Sequence, residues 1–244
     1  NSCESIASDL GNNLGYGTHV VHNNGGNFYS RANAFSQMGF DSFISKEMMN
    51  IQEYTPLGTW PTDDILIGEV EKALDSTEHQ DFVYAITVQG HGAYPTEKVI
   101  EHPEIVVTGA ENEAKNNEWE YYTNEIHEVD KFIANLTDML SKRDEKTVVV
   151  FFGDHLPTMG LTDTDMKSGN IFKTKYVTWN NFGMEKIDKD LTSYQLLAAI
   201  TAQANLHEGT MFSFHQNYNY QMTEETSRDM ELLQYDTLYG KHYS

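Results

Sequence analysis

Cysteine is almost missing from this sequence: Cys3 stands alone, so no internal disulfide can form. Two settings stay open on that count, a reducing cytoplasm and a bacterial surface enzyme that never depended on bridges. Basic residues are scarce as well, 16 against 37 acidic ones, giving a formal charge of -21 and a pI near 4.6. A phosphate backbone or an anionic lipid surface would repel such a chain, which argues against nucleic acid as a partner. No stretch approaches the roughly 20 apolar residues that a membrane span needs, and no positively charged start leads into an apolar signal region, so the chain reads as soluble. Repeats and long Pro/Ser-rich linkers are also missing. With 244 residues and 39% hydrophobic content undivided in this way, one domain with one large core is expected.

Three short β-rich runs are present: Thr18-His19-Val20-Val21, Phe82 to Val88, and Thr147 to Phe152. The last two are continuously apolar or β-branched, the pattern of strands buried on both faces of a parallel sheet. A helix is predicted over Thr62 to Ser76. A longer one carries Trp119, Tyr122, Ile126, Val129, Ile133, Leu136 and Leu140 at alternating three- and four-residue steps. A fourth strand is expected at Tyr176 to Trp179, and Thr192 or Ser193 can cap a helix bearing Leu196, Leu197, Ile200 and Ala204 on one face. The tail after Glu208 shows no clear periodicity. Alternation of strand and helix predicts an α/β fold: a three-layer α/β/α domain with a mainly parallel sheet.

Ligands of open parallel sheets bind beyond the carboxyl ends of the strands, and here each strong strand ends in a polar cluster. After the first come His22-Asn23-Asn24-Gly25-Gly26-Asn27-Phe28-Tyr29-Ser30-Arg31, after the second Gln89-Gly90-His91-Gly92, and after the third Gly153-Asp154-His155. Asp154 and His155 offer an oxygen and an imidazole nitrogen side by side, suited to one cation; alone, the triplet equally fits a loop cap beside a surface histidine. His91, between two glycines, can approach a ligand closely and hydrogen-bond a phosphoryl oxygen or protonate a leaving group, or it is incidental to a Gly-rich turn. Arg31 can grip a phosphate with its planar fork, with Tyr29 as a ring wall and His22 as a further donor; the plainer alternative pairs Arg31 with one of the many carboxylates. His19, His79, His102, His127, His207, His215 and His242 lack a comparable setting and read as structural or solvent-facing. Cys3-Glu4-Ser5-Ile6-Ala7 lacks the proline and arginine that follow a sulfatase cysteine destined to become formylglycine.

In order, H-x6-Y-x-R, then QGHG after an apolar strand, then VVVFFGDH, then QYDTLYGKHY resembles the extracellular domain of lipoteichoic acid synthases and related phosphoglycerol transferases, of the sulfatase-like alkaline-phosphatase superfamily. The resemblance covers nearly the whole chain. It implies that Asp154 and His155 bind a divalent metal, usually manganese, with Mg2+ or Zn2+ as alternatives. It further implies that His91, His22 and Arg31 contact a glycerol-phosphate group, His91 assisting the leaving group. The family's tryptophan is replaced here by Tyr29. Its nucleophilic threonine and a metal-binding glutamate lie upstream of the His…Arg segment, and residues 1 to 21 contain no matching stretch. The implied picture is therefore the C-terminal part of a single catalytic domain, silent by itself, from a membrane-anchored parent at the extracellular face of a bacterial membrane. In the intact enzyme the metal-activated threonine attacks a phosphodiester such as phosphatidylglycerol, and the phosphoglycerol passes to a growing polymer. Sulfate-ester or phosphodiester hydrolysis on the same fold, and a non-catalytic binding domain, are the competing readings.

Overall fold

The structure, a computed structural model, describes residues 4–241, so Cys3 and His242 lie outside the described residues. Its organising strand is β1 (Gly17–His22), buried along its whole length, with Val20 and Val21 at 0% exposure. β1 is the middle of a three-stranded parallel sheet, flanked by β2 (Ser42–Ser45) and β3 (Asp81–Ile86), with His19 opposite both Ser42 and Val83. The carboxylate of Asp41 helps fix the β1–β2 register, because its Oδ2 accepts both the N–H and the Oγ1–H of Thr18 at 2.9 Å. β2 was not expected: Ser-Phe-Ile-Ser is too short and too mixed to stand out from its surroundings.

Helices cover both faces, as side-chain alternation along the strands requires. On one face α3 (Ile65–Leu74) and α4 (Glu113–Ser141) bring Leu66, Val70, Phe132, Leu136 and Leu140 into a core with Val21, against which Val83 and Ala85 pack. On the other, Phe35 of α2 (Arg31–Gln37) meets Phe43 and Tyr84 edge-on, and Gly11 of α1 (Ile6–Leu14) sits over Thr18. This is the three-layer arrangement anticipated, with one departure. β4 (Val148–Phe152) pairs antiparallel with β5 (Tyr176–Asn180) in a separate two-stranded sheet. β3 and β4 are half-buried where burial on both faces was expected, and among the described residues neither has a hydrogen-bonded neighbour on its second edge.

Three further expectations need correction. The apolar run over Phe82 to Val88 outlasts its strand, because Asp63 accepts the N–H groups of Val88 and Gln89 and pulls the chain out of the ladder. In α4 the spine predicted through Trp119, Tyr122 and Ile126 is not the buried one: Tyr121, Asn124 and Glu125 are buried and Ile126 is 41% exposed. That half of the helix faces a polar loop rather than the apolar core, so its inward groups are hydrogen-bonding ones. The tail beyond Glu208 is helical, as α6 (Thr210–Asn217) and α7 (Glu224–Tyr239), after α5 (Ser193–Gln203) with the expected cap at Thr192. α7 escapes periodicity reading because Leu232, Tyr235, Leu238 and Tyr239 are exposed.

The termini meet. The Glu4 carboxylate accepts the N–H groups of Thr210 and Met211 at the start of α6, and buried Asp9 lies beside it. Burial, then the charge of Glu4, pushes the Asp9 carboxyl up to about 7. Among the described residues no helix is long and apolar enough to cross a membrane.

Candidate active site

The chain leaves β1 through a turn that only glycine permits at Gly26, where a Cβ would stand 2.7 Å from Ser45 Oγ. Glu47 Oε2 accepts from Gly26 N–H at 3.0 Å and from Ser45 Oγ–H at 2.6 Å, which holds its carboxyl below the usual range. Tyr29 and Ser30 follow in the left-handed region, at φ 54 and 53, a conformation non-glycine residues adopt at a cost. This turn displays Tyr29, 83% exposed, beside Phe28, and the Arg31 guanidinium lies 5.3 and 5.8 Å from the two ring centroids. Arg31 Nη1 donates to Gly25 C=O at 3.0 Å. His22 is buried, and its Nδ1–H donates to Ile86 C=O at 2.8 Å. Burial lowers its pKa, the Ile86 bond opposes that, and the Arg31 charge adds to the lowering. A neutral imidazole is favoured, with Nε2 left as an acceptor.

Beyond β3 the loop carrying His91 is built from behind. Asp63, at 0% exposure, accepts through Oδ1 from Asn23 Nδ2 at 2.8 Å, Val88 N–H at 3.0 Å and Gln89 N–H at 3.2 Å. Its own N–H donates to Gln89 Oε1 at 2.9 Å, and Gln89 Nε2 donates to Glu125 Oε2 at 3.0 Å. One buried chain of hydrogen bonds thus ties the exits of β1 and β3 to α3 and α4. Burial pushes Glu125 up to about 7 against the opposing Gln89 bond, with the charges of Glu128 and Asp63 adding to the rise. Trp60 clamps the front, its Nε1–H reaching the carbonyls of His91 and Gly92 at 2.9 and 3.1 Å. The connection over residues 87–112 is then clipped along α4. Asn124 makes both bonds to the backbone of Ile105, Glu120 accepts from Val107, and Asn117 donates to Thr96.

The β4 exit lies next to this loop. His155 Nδ1–H donates to Leu156 C=O at 2.8 Å, which turns Nε2 toward Asp154 Oδ2, 3.8 Å away. Two donors bound to one tetrahedral cation at ~2.1 Å lie about 3.4 Å apart, so this pair needs little adjustment to share one. The carbonyl contact at Nδ1 is the outer bond by which metal-binding histidines are usually oriented. Both side chains are open to solvent. Among the described residues no group of three or more His, Cys, Asp and Glu stands ready to hold a metal.

His91 and His155 face each other edge-on at 6.2 Å between ring centroids, and the Asp154 charge is felt at Tyr84 of β3. His91, Asp154 and His155 are therefore brought together. His22 sits below the surface at the root of the same edge, and Tyr29 and Arg31 flank it on the β1 turn. Trp60, Asp63 and Glu125 escaped sequence reasoning, since each acts on residues 25 to 40 positions away. His19 is structural, held by Ser42 and Asp81, and His127 pairs with Glu104.

A family model described as Sulfatase matches residues 3–206. A Rhizobium meliloti (strain 1021) protein assigned provisionally to cyclic beta-1,2-glucan modification is 27% identical over 272 residues, covering 94% of this chain and 42% of its own length. The Streptococcus pyogenes phosphoglycerol transferase GacH, solved with sn-glycerol-1-phosphate, superposes with a TM-score of 0.78 at 22% identity, over 94% of this chain and 63% of that one. The lipoteichoic acid synthase LtaP of Listeria monocytogenes gives 0.52 at 21%, over 69% and 44%. The chain thus spans less than two thirds of each of these relatives, and the solved ones share its alkaline-phosphatase-like fold. With the family model matched across most of its length, the chain belongs to the sulfatase family.

Proposed function

We propose that residues 1–244 are the C-terminal part of the catalytic domain of a metal-dependent phosphoglycerol transferase, acting on glycerophosphodiesters such as phosphatidylglycerol in cell-envelope polymer synthesis. The observation that carries this reading is the meeting of His91 with Asp154 and His155 beyond strand ends, 6.2 Å between the two imidazoles. Asp154 Oδ2 and His155 Nε2 would hold the divalent cation, manganese by the resemblance. Bound there, it would polarise a phosphoryl oxygen and lower the pKa of an attacking hydroxyl, supplied by an upstream threonine. His91 keeps Nδ1–H on Gly92 C=O at 2.7 Å, which aims Nε2 outward; in the imidazolium form, with both nitrogens protonated, it would give the Nε2 proton to the leaving alkoxide. Arg31 supplies the positive charge for the phosphoryl oxygens, and Tyr29 and Phe28 wall the group in. Neutral His22, with Nδ1–H already engaged, suits a glycerol hydroxyl better than an anionic oxygen. The name of the Rhizobium relative supports a glycan among the acceptors.

The full-length gene product, incubated with a phosphatidylglycerol analogue and manganese, should release diacylglycerol and pass glycerol phosphate to an acceptor. Sulfate-ester hydrolysis with no such transfer would overturn the proposal. Arg31→Ala should impair transfer roughly 10- to 100-fold, the worth of a charge-assisted hydrogen bond, and Arg31→Lys less, because it keeps the charge and loses the fork. Equal rates for wild type and Arg31→Ala would make Arg31 structural.

A further inference from the structure

Two oxygens deep behind the site lack a donor. Asn23 and Asp63 are both at 0% exposure, and Asn23 Nδ2 donates to Asp63 Oδ1 at 2.8 Å and to Thr62 C=O at 3.2 Å. Val88 and Gln89 give their N–H groups to that same Asp63 Oδ1, at 3.0 and 3.2 Å. Every donor of the set thus converges on one carboxyl oxygen, and among the described residues Asp63 Oδ2 and Asn23 Oδ1 have no hydrogen-bond partner. Turning the Asn23 amide over is no remedy, because its oxygen would then face Asp63 Oδ1 and the Thr62 carbonyl. An ionised carboxylate carries its charge on both oxygens, and burying one of them without a donor is costly. The charged neighbours do not help: Asp64 stands next in the chain and Glu125 lies across Gln89, both acidic. Burial pushes the Asp63 carboxyl up, the bonds from Val88, Asn23 and Gln89 oppose this, and the Asp64 charge adds to the rise. One proton would satisfy both orphans: placed on Asp63 Oδ2, it donates to Asn23 Oδ1 and closes the ring that the Nδ2 bond has begun.

We propose that Asp63 is a positioning residue in the form of a neutral carboxylic acid, its Oδ2–H donated to Asn23 Oδ1, and that this closed pair sets the gap between His22 and His91. Asn23 follows His22 directly at the exit of β1, and Val88 and Gln89 lead into His91 at the exit of β3. The Asp63 side chain spans both exits, and Gln89 Oε1 pins its backbone N–H. Loss of the proton would set a charged oxygen against Asn23 Oδ1 and drive the two exits apart. A neutral pair also holds the histidines without adding negative potential beneath a phosphoryl-binding site. The role assigned to Asp63 rests on the proposed reading of the site; its protonation rests on the two orphaned oxygens.

Infrared difference spectra of the full-length gene product, wild type minus Asp63→Asn, test the proton near neutral pH without reference to activity. The subtraction removes Asp9, Glu125 and every other carboxyl, and should leave the carbonyl band of a protonated acid. A carboxylate band in its place, as a buried water donating to an ionised Asp63 would give, overturns the proposal. In the transfer assay Asp63→Ala should lower kcat roughly 10- to 100-fold with a smaller change in donor KM, the effect of a misplaced His91. Asparagine reproduces both halves of the pair, with Oδ1 as acceptor and Nδ2–H as donor to Asn23. Asp63→Asn should therefore bring kcat back to within about threefold of wild type. An Asp63→Asn protein that does not fold, or whose kcat stays more than about tenfold below wild type, also overturns the proposal. If the wild type transfers no glycerol phosphate, the reading of the site falls, and the infrared spectrum still decides the proton.

Discussion

Asp154→Ala in the full-length gene product is expected to lower glycerol-phosphate transfer about 1,000-fold or more, and His155→Ala similarly, because charge stabilisation by a bound cation is worth several kcal/mol and about 4 kcal/mol is three decades in rate. On the proposed reading these two side chains are two of the cation's protein ligands beside an upstream glutamate, and removing one leaves an incomplete set. Thermal unfolding should hardly change, since Asp154 and His155 are mostly solvent-exposed and tie no elements together beyond their own turn. A loss of rate without a loss of stability is the signature. Residues 1–244 alone should bind manganese weakly in a calorimetric titration and turn over no substrate, since water must replace each missing ligand. Tight binding by that chain, with turnover that vanishes in Asp154→Ala, would place the remaining ligands and the nucleophile within it and overturn the reading that the site is completed from upstream.

The thermal stability of the chain should fall as pH rises from about 5 to 7.5, with Glu125 as a principal cause. Its carboxyl titrates near 7 in the folded chain and at 4.5 when unfolded, so between those values the folded state keeps a proton that the unfolded state has released. Stability from this group is greatest below the lower value, is lost across the window, and is level above the upper one. The span of the shift corresponds to about 3 kcal/mol, or roughly 6–12 °C in a domain of this size. Glu125→Gln keeps an oxygen to accept from Gln89 Nε2 and should flatten the slope; Asp9, raised for a similar reason between α1 and α6, accounts for a further part. Differential scanning calorimetry at half-unit pH steps reads both. An unchanged slope in Glu125→Gln would show that the buried carboxyl is ionised throughout.

The legible part of this fold was the part whose apolar groups repeat at short range. β1, β3, β4, β5, α3 and α5 follow from runs and spacings, and the C-terminal half of α4 buries the Leu136 and Leu140 it was expected to bury. The illegible part depends on partners distant in sequence. Burial of Glu125 and Asn124 in place of Ile126 follows from which loop lies across α4, and nothing within α4 announces that loop. The antiparallel pairing of β4 with β5 is equally silent, since an apolar pentapeptide fits either sense. At the site, glycine neighbours marked His91 and the position after a strand marked Asp154 and His155. Trp60 and Asp63 sit before a helix, where an aromatic and an acid are commonplace.

The clips that α4 places on residues 87–112 decide how His91 can move. A connection longer than about 12–15 residues without regular structure is ordinarily a mobile element, often a lid. Here Asn117, Glu120 and Asn124 hold it at three levels of one helix, while Trp60 and Gln89 hold its beginning. Loop and helix therefore open together or not at all, as one cooperative unit. His91 is thereby tied to the rest of the domain, so on the proposed reading substrate capture would incur little ordering entropy at that residue and product release would await no millisecond opening there.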